Sequence, residues 1–374
     1  MINFKKMKIC VVTPNFTIAG VPLAQIRFAR AFANKGHDVD LIVGYIAPKY
    51  NFPDVNNVRL IHLNRQQVRG MLLPLIGYLK KNKPDIVFSA EDHLNTITLF
   101  ATIFSGSKTK ISCSSRVTPF DTYSNILFSK RWILKQLMRM VMPRANVLTC
   151  VSKDMVEQYK TVFNSSPHVC VYNIVVDQHS QKKMQEPVDG NWFIDKSEPV
   201  IVAAGRLAPW KGFTDLILAI KELTKSRVAR LVIFGDGPMR GELQTLIGEL
   251  ELNSVVKLFG YVENPLKYFS RADVFVLSSY VEGLPNVLIE AMMCGCTPVS
   301  TDCPTGPREV LQDDKYGYLV PVNDPVAMAA GIEKALESPI SKTLLKEAIS
   351  SFSEDAVINR HFEVLGINSS EANT

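Results

Sequence analysis

Residues able to do chemistry concentrate in the run SSYVEGLPNVLIEAMMCGCTPVSTDCPTGPRE, which begins at Ser278 and ends at Glu309. An apolar strand, Val274–Leu277, leads into a polar turn, Glu282-Gly283-Leu284, and Pro285 pre-sets the backbone for the first turn of a helix. That helix carries Val287, Leu288, Ala291 and Met292 on one face and stops at Gly295. Its leading N–H groups face the loop, an arrangement that attracts an anion. Glu282 precedes the helix and Glu290 lies about two turns along it, so roughly 10 Å separates the carboxylates. That distance is too great for one shared catalytic dyad and suits holding two parts of an elongated ligand. Upstream, Arg206 and Lys211 lie just past the end of a strand, Val200–Ala204, on either side of a Pro-Trp loop.

Glu282, seven intervening residues, Glu290, then A-M-x-x-G-x-x-P-V and CPTGPRE resemble the signature of family 4 retaining glycosyltransferases. Three further stretches match in the same order: Gly205-Arg206-Leu207 with Lys211-Gly212, Phe234-Gly235-Asp236-Gly237-Pro238, and Phe259-Gly260-Tyr261. Together they cover almost the whole C-terminal half. The resemblance implies an α/β fold of two Rossmann-like, doubly wound parallel-sheet domains facing across a cleft (GT-B), with a C-terminal helix crossing back. It also implies transfer of a sugar from a nucleotide-diphosphate donor. In such an enzyme Arg206 and Lys211 neutralise the departing β-phosphate, and backbone N–H groups from Gly283 and Leu284 to Asn286 complete the clamp. Glu290 takes the ribose hydroxyls and Glu282 those of the transferred sugar. The base meets backbone near Tyr261 and Val262. Gly205, Gly235, Gly237 and Val287 join the donor-binding set, Gly235 and Gly237 letting backbone approach the nucleotide closely. With the cation pair in place neither a metal nor another cofactor is expected, and no Asp-x-Asp stands at a strand end. The resemblance implies retention of anomeric configuration, and with no clear carboxylate nucleophile for double displacement it implies a front-face transfer, in which the leaving phosphate takes the acceptor's proton.

The elements that must position these groups follow from length and pattern. A chain of 374 residues with 47% hydrophobic content suggests two domains of about 180 residues. The expected division is an acceptor-binding domain over 1–177, a polar linker over 178–198, a nucleotide-sugar domain over 199–352, and a crossover helix with tail over 353–374. Strands are expected near 8–13, 39–43, 58–63, 85–89, 109–113, 146–151 and 168–172, then 200–204, 230–234, 255–259, 274–278, 297–300 and 317–320. Helices fall between them, as in doubly wound sheets. No G-x-G-x-x-G follows a strand, which argues against a nicotinamide site.

Acceptor candidates come from the first half. Pro84-Asp85-Ile86-Val87-Phe88-Ser89 ends at SAEDHLN, placing Glu91, Asp92, His93 and Asn95 at a carboxyl edge. The resemblance makes His93 the acceptor-side residue; the other reading is a helix-start histidine with Asp92 as cap. ISCSSRVTP resembles a segment of relatives that extend lipid-linked oligosaccharides, where Arg116 binds an anionic acceptor group such as a diphosphate; a surface arginine is the alternative. Asn173 is a candidate for positioning a loop. In the loop 15–20 Gly20 stands where the resemblance places paired glycines near the donor phosphates or the acceptor, but Val21 replaces the second, and a simple turn fits as well.

Charge is uneven. Residues 1–180 hold 23 Lys and Arg against 10 Asp and Glu, while 181–374 hold 19 against 26, so the two halves suit different partners. Eight basic residues fall between Lys108 and Arg144, with Asp121 the only acid. Within them, residues 126–142 mix Lys130, Arg131, Lys135 and Arg139 with Trp132, Ile133, Leu134, Leu137, Met138 and Val141. Two readings stand: an interfacial helix on anionic lipid, or an amphipathic helix packed on a core with a solvated basic face. Nothing supports nucleic acid. The seven cysteines read as reduced core residues, and Cys294, Cys296 and Cys303 lack zinc-module spacing. The apolar run Ile9–Val12 is too short for a signal peptide, and no stretch approaches the roughly 20 apolar residues of a membrane span. The expectation is a cytoplasmic enzyme, peripheral at the inner face of the membrane, that moves an N-acetylhexosamine or galactose from a UDP-sugar to a glycan or polyprenyl-diphosphate-linked acceptor for cell-surface polysaccharide. The rivals are a non-catalytic partner subunit of the same fold, which would ordinarily lose Arg206, Lys211 or Glu282, and a nucleotide-sugar epimerase or phosphorylase.

Overall fold

Continuous apolar runs become fully covered parallel strands, because helices shield both faces of such sheets. The computed structural model describes all residues except 1–4, 17–19, 49–51, 53–54, 165–166, 196 and 368–374. Most of the loop 15–20 therefore lies outside the described residues. The first sheet is built from β1 (Lys8–Phe16), β2 (Asp38–Ile46), β3 (Val58–His62), β4 (Ile86–Ala90), β5 (Lys110–Ser115), β6 (Val147–Cys150) and β7 (His168–Cys170). Its order is β3-β2-β1-β4-β5-β6-β7, and every pairing is parallel. The second comprises β8 (Val200–Ala204), β9 (Arg230–Phe234), β10 (Val256–Gly260), β11 (Val274–Leu277), β12 (Thr297–Thr301) and β13 (Tyr318–Val320), ordered β10-β9-β8-β11-β12-β13 and again all parallel. These are the strands that periodicity predicts.

The strand order reverses between β1 and β4 in one sheet and between β8 and β11 in the other. At such a switch point the two neighbouring loops leave in opposite directions, opening a crevice at the carboxyl ends of the strands. Contacts divide the chain into two units: residues up to Ile174 together with those from Glu354 onward, and Val175–Ser353.

The return of the last helix to the first unit has a packing cause. Helix Glu354–Val364 buries Val357, Ile358, His361 and Phe362, and Phe362 meets Phe32 at 5.6 Å between ring centroids. Its other anchors are polar: Asp355 pairs with Lys35, and Lys110 donates to the Leu365 carbonyl at 2.7 Å just beyond the helix. Residues 178–198, expected as a linker, hold two short helices, Gln178–Lys183 and Asn191–Ile194, and group with the second unit. Phe193 is the anchor, buried against Tyr268 at 5.0 Å. Asn264 adds hydrogen bonds to the Lys183 carbonyl (2.9 Å) and to Glu186 (2.8 Å). Ser270 donates to the Met184 carbonyl at 3.0 Å and Arg230 pairs with Asp195 at 3.0 Å, so one aromatic and several polar ties share the attachment.

Candidate functional site

In the second unit the loops after β8 and β11 meet at the switch point. Leu207 and Ala208 are fully buried and pin the first loop, leaving Arg206 exposed between them and β8. A tight turn, Pro209–Lys211, then runs into Gly212 at φ 62° and the helix Phe213–Leu223. Glycine is required at 212, since a Cβ there would lie 1.9 Å from the Ser278 carbonyl oxygen. The close approach is used: Ser278 Oγ donates to the Lys211 carbonyl at 2.8 Å, and the Tyr280 N–H donates to the Trp210 carbonyl at 2.9 Å. The two loops are thereby sewn together.

Their joint product is an ion pair. Lys211 Nζ donates to Glu282 Oε1 at 2.6 Å, and the side chains retain only 19% and 12% of their exposure. Ser279 Oγ donates to the same carboxylate oxygen at 2.6 Å. Thr301, at the end of β12, fixes the loop from beneath by donating to the Ser279 carbonyl at 2.5 Å. Thr305 donates to the Glu282 carbonyl, and the Glu282 N–H donates to the Pro304 carbonyl at 3.3 Å. The sequence singles out Lys211 and Glu282 separately. Their direct pairing, and the roles of Ser279, Thr301 and Thr305, required the fold.

The remaining donor candidates lie on the loops after β8, β9 and β10 and on the loop and helix after β11. Gly235 (φ 134°) would place a Cβ 1.9 Å from the Gly205 carbonyl oxygen, and Gly237 would place one 2.4 Å from that of Leu207. Backbone bonds from Gly205 N–H to Phe234 and from Leu207 N–H to Asp236, both 3.0 Å, show how closely those loops run. Tyr261 is exposed and Val262 half-buried beyond β10. Leu284 is buried, while Gly283, Asn286, Val287 and Glu290 are half-buried on the loop and first turns of helix Asn286–Cys294. That helix stops at Gly295 in the left-handed conformation. Cys303 is buried, and burial together with the nearby Glu282 carboxylate pushes its thiol up to about 12. All seven cysteines are free thiols, and among the described residues no group of three or more His, Cys, Asp and Glu is placed to hold a metal ion.

The first unit carries its own pocket at the ends of β4 and β5. It is a cavity of about 260 Å³ lined by Glu91, Asp92, His93, Arg116, Lys130 and Arg131, among others. His93 is exposed, at the start of helix Asp92–Ser105. Arg116 donates to Gln25 at 3.2 Å, and its buried Nε has no hydrogen-bond partner among the described residues. Burial pushes the guanidinium down to about 10, against a counter-effect from Glu91. Glu91 is raised from the usual carboxylate range chiefly by burial, and its backbone sits at φ 79°, ψ 131°, a sparsely populated conformation for a side-chain-bearing residue.

Asp92 borders the pocket but directs its carboxylate oxygens inward, and Asn95 lies wholly inside. Asp92 is 3% exposed and accepts from Ser115 at 2.7 Å and from Tyr159 at 2.6 Å. Burial raises its carboxyl, and those hydrogen bonds act the other way. Asn95 is fully buried, accepting from Ser89 at 2.6 Å and donating to the Ser114 carbonyl at 3.0 Å. Both hold the β4–helix junction that presents Glu91 and His93. Asn173 is buried near the end of the unit and does not line this pocket. Gly20 is exposed at the start of helix Gly20–Asn34, with open space around a built Cβ. Lys130 and Arg131, which the sequence groups with the basic helix, line the pocket; only the β5 loop geometry brings them to Arg116.

A family model described as Glycosyltransferase Family 4 matches residues 20–178, and one described as Glycosyl transferases group 1 matches residues 185–352. A curated relative from Campylobacter jejuni subsp. jejuni, an N-acetylgalactosamine-N,N'-diacetylbacillosaminyl-diphospho-undecaprenol 4-alpha-N-acetylgalactosaminyltransferase, is 34% identical over 246 residues. The match spans 65% of this chain and 64% of that protein's length, a little under two thirds. An uncharacterised glycosyltransferase of Methanocaldococcus jannaschii is 31% identical over 278 residues, 69% of this chain and 68% of the relative. Among solved structures, Anabaena HepE in complex with UDP-glucose superposes with a TM-score of 0.72 at 17% identity, covering 96% of this chain and 99% of that one. At that identity the likeness is one of fold.

Proposed function

The chain belongs to the family 4 glycosyltransferases and has their GT-B fold, and from that premise we propose that it moves a sugar from a UDP-sugar to a polyprenyl-diphosphate-linked glycan in polysaccharide biosynthesis. The observation that carries the reading is the Lys211–Glu282 pair at the β8/β11 switch point, with Arg206 exposed beside it. Cleaving the donor builds negative charge on the β-phosphate. Arg206 and the Lys211 ammonium neutralise it, and preorganised charge of this kind supplies about 2–4 kcal/mol of transition-state stabilisation per group. Glu282 receives Lys211 and Ser279 on Oε1, which turns Oε2 to the hydroxyls of the transferred sugar. Glu290 takes the ribose.

Phosphate charge met by two cations needs no divalent ion, so the reaction runs without metal. The carboxylates at this loop junction already have partners, Glu282 in Lys211 and Ser279 and Asp215 in Tyr280 at 3.0 Å, so neither is assigned as a nucleophile. Transfer therefore proceeds on the front face with retention of configuration, and the leaving phosphate accepts the acceptor's proton. HepE's bound UDP-glucose supports a uridine donor. The Campylobacter relative, whose name specifies a diphospho-undecaprenol acceptor and an N-acetylgalactosamine transfer, supports the acceptor class and an N-acetylhexosamine. Arg116, Lys130 and Arg131 give the first unit's pocket the charge an acceptor diphosphate needs. His93 orients the incoming hydroxyl, and Asp92 and Asn95 position it by holding the junction.

The test is transfer from UDP-N-acetylhexosamines to a synthetic lipid-diphosphate glycan and to its phosphate-free analogue. The diphosphate acceptor should be preferred by at least about ten-fold in kcat/KM, and Arg116→Gln should remove that preference while donor hydrolysis persists. Equal use of both acceptors by the wild type would overturn the acceptor assignment.

A further inference from the structure

The surface between Val117 and Met140 is apolar where a solvated face should be polar. Of the 19 large hydrophobic residues exposed among the described residues, eight fall in this short run, led by Phe128 at 81% and Ile126 at 73% exposure. Single exposed apolar residues are ordinary; a cluster of this density marks an interaction surface.

The cluster belongs to an ordered element. In helix Lys130–Val141, Leu134, Met138 and Val141 face the core, while Ile133, Leu137 and Met140 face outward. The helix therefore packs on the core and also keeps an apolar face exposed. The loop before it is fixed by polar ties. Lys135, itself buried, donates to Asn125 at 2.7 Å. Ser129 caps the helix through the Trp132 N–H at 3.1 Å, and Arg131 donates to the Phe120 carbonyl. With those ties made, Phe128 stands at φ 59°, a left-handed conformation that disfavours side-chain-bearing residues. Its ring is turned outward against Trp132 at 5.6 Å. An aromatic residue held in an unfavourable conformation and presented to solvent is a device for contact.

Charge decides what the contact is with. Eight basic residues and one acid lie between Lys108 and Arg144, and Lys130, Arg131 and Arg139 lie on the helix itself. Apolar tips flanked by cations match a bilayer with anionic headgroups. We infer that the face from Val117 to Met140 docks on an anionic phospholipid surface, with Ile126, Leu127 and Phe128 entering the acyl boundary and Lys130, Arg131 and Arg139 meeting the headgroups. Lys130 and Arg131 also line the pocket beside Arg116 and His93. A lipid-borne acceptor would therefore enter that pocket from the membrane side. Only this purpose rests on the proposed acceptor; the docking does not.

The experiment is co-sedimentation of the full chain with phosphatidylcholine vesicles, with and without phosphatidylglycerol, at low and high salt, in the absence of donor and acceptor. The wild type should bind the phosphatidylglycerol vesicles, release with salt, and bind pure phosphatidylcholine at least about ten-fold more weakly. The triple change Ile126→Ser, Leu127→Ser, Phe128→Ser removes side chains that contribute nothing to the core. It should lose at least about ten-fold in vesicle affinity while keeping the wild type's urea-unfolding midpoint. No vesicle binding by the wild type, or equal binding by the triple variant, overturns the inference. So does wild-type self-association that the variant abolishes without any vesicle binding, which would make a second copy the occupant. Since no nucleotide is present, a failed donor assignment leaves this result standing.

Discussion

On the proposed reading Lys211 has two tasks, to pair with Glu282 at 2.6 Å and to meet a donor phosphate. A long cationic chain near a phosphate site would ordinarily sample many rotamers, at a cost of up to about 2 kcal/mol in lost freedom when ordered. The half-buried carboxylate fixes it beforehand, and Ser279 fixes the carboxylate. A second buried residue, His361, sets an acid limit. It packs between Phe28 (4.8 Å) and Phe88 (5.3 Å), and its Nδ1 has no hydrogen-bond partner among the described residues. Burial, reinforced by the charges of Arg116 and Arg360, pushes its pKa down to about 3. The unfolded chain thus binds a proton near pH 6.5 that the folded one refuses, so stability is full above that pH and falls as pH drops towards 3. By pH 4 this one residue should cost the first unit roughly 3 kcal/mol. Urea unfolding of His361→Leu at pH 7 and pH 4 should show a flatter pH dependence than the wild type; an unchanged slope would remove His361 as the cause.

At the scale of elements, glycines separate what geometry demands from what pattern suggests. A Cβ at Gly235 would sit 1.9 Å from the Gly205 carbonyl oxygen, on backbone already at φ 134°, whereas one at Gly20 meets nothing within 4 Å. Gly235→Ala should destabilise the second unit by roughly 2 kcal/mol or more, and Gly20→Ala should leave the first within about 0.5 kcal/mol of the wild type. Denaturant midpoints of the two variants check this; comparable losses would mean that the β8 and β9 loops are less tightly apposed than described. All thirteen strands were legible because each is a short apolar run between helical periodicities. The attachment of residues 178–198 was not legible, since the partners of Phe193, Met184, Glu186 and Asp195 lie far along the chain from a stretch that is itself polar and proline-punctuated. Spacing and resemblance single out Arg206, Lys211, Glu282 and Glu290, and the structure brings Lys211 and Glu282 together. Ser279, Thr301 and Thr305 were not legible, because small hydroxyl residues declare a role only when a loop folds back on them. Asp92 and Asn95 follow β4 as the sequence places them, but sequence does not say which side chains at such an end turn inward.

For the whole molecule, two sheets repeat one solution, with strand order reversing beside the first strand of each. Their charge differs, with an excess of basic residues in the first half and of acidic residues in the second. The first unit gathers cations around its pocket and along its apolar face. The second gathers its few key cations at the switch point, where a nucleotide diphosphate would be met. The central claim is that these two cations and Glu282 make a metal-independent nucleotide-sugar site. The measurement that tests it most directly is nucleotide release from a panel of UDP-, GDP- and ADP-sugars by the purified chain in EDTA, alongside Arg206→Ala and Glu282→Ala. The account predicts slow release of UDP from one donor, reduced by about 30- to 1,000-fold in Arg206→Ala and abolished in Glu282→Ala. Release that requires an added divalent ion, or that survives both substitutions, would contradict it.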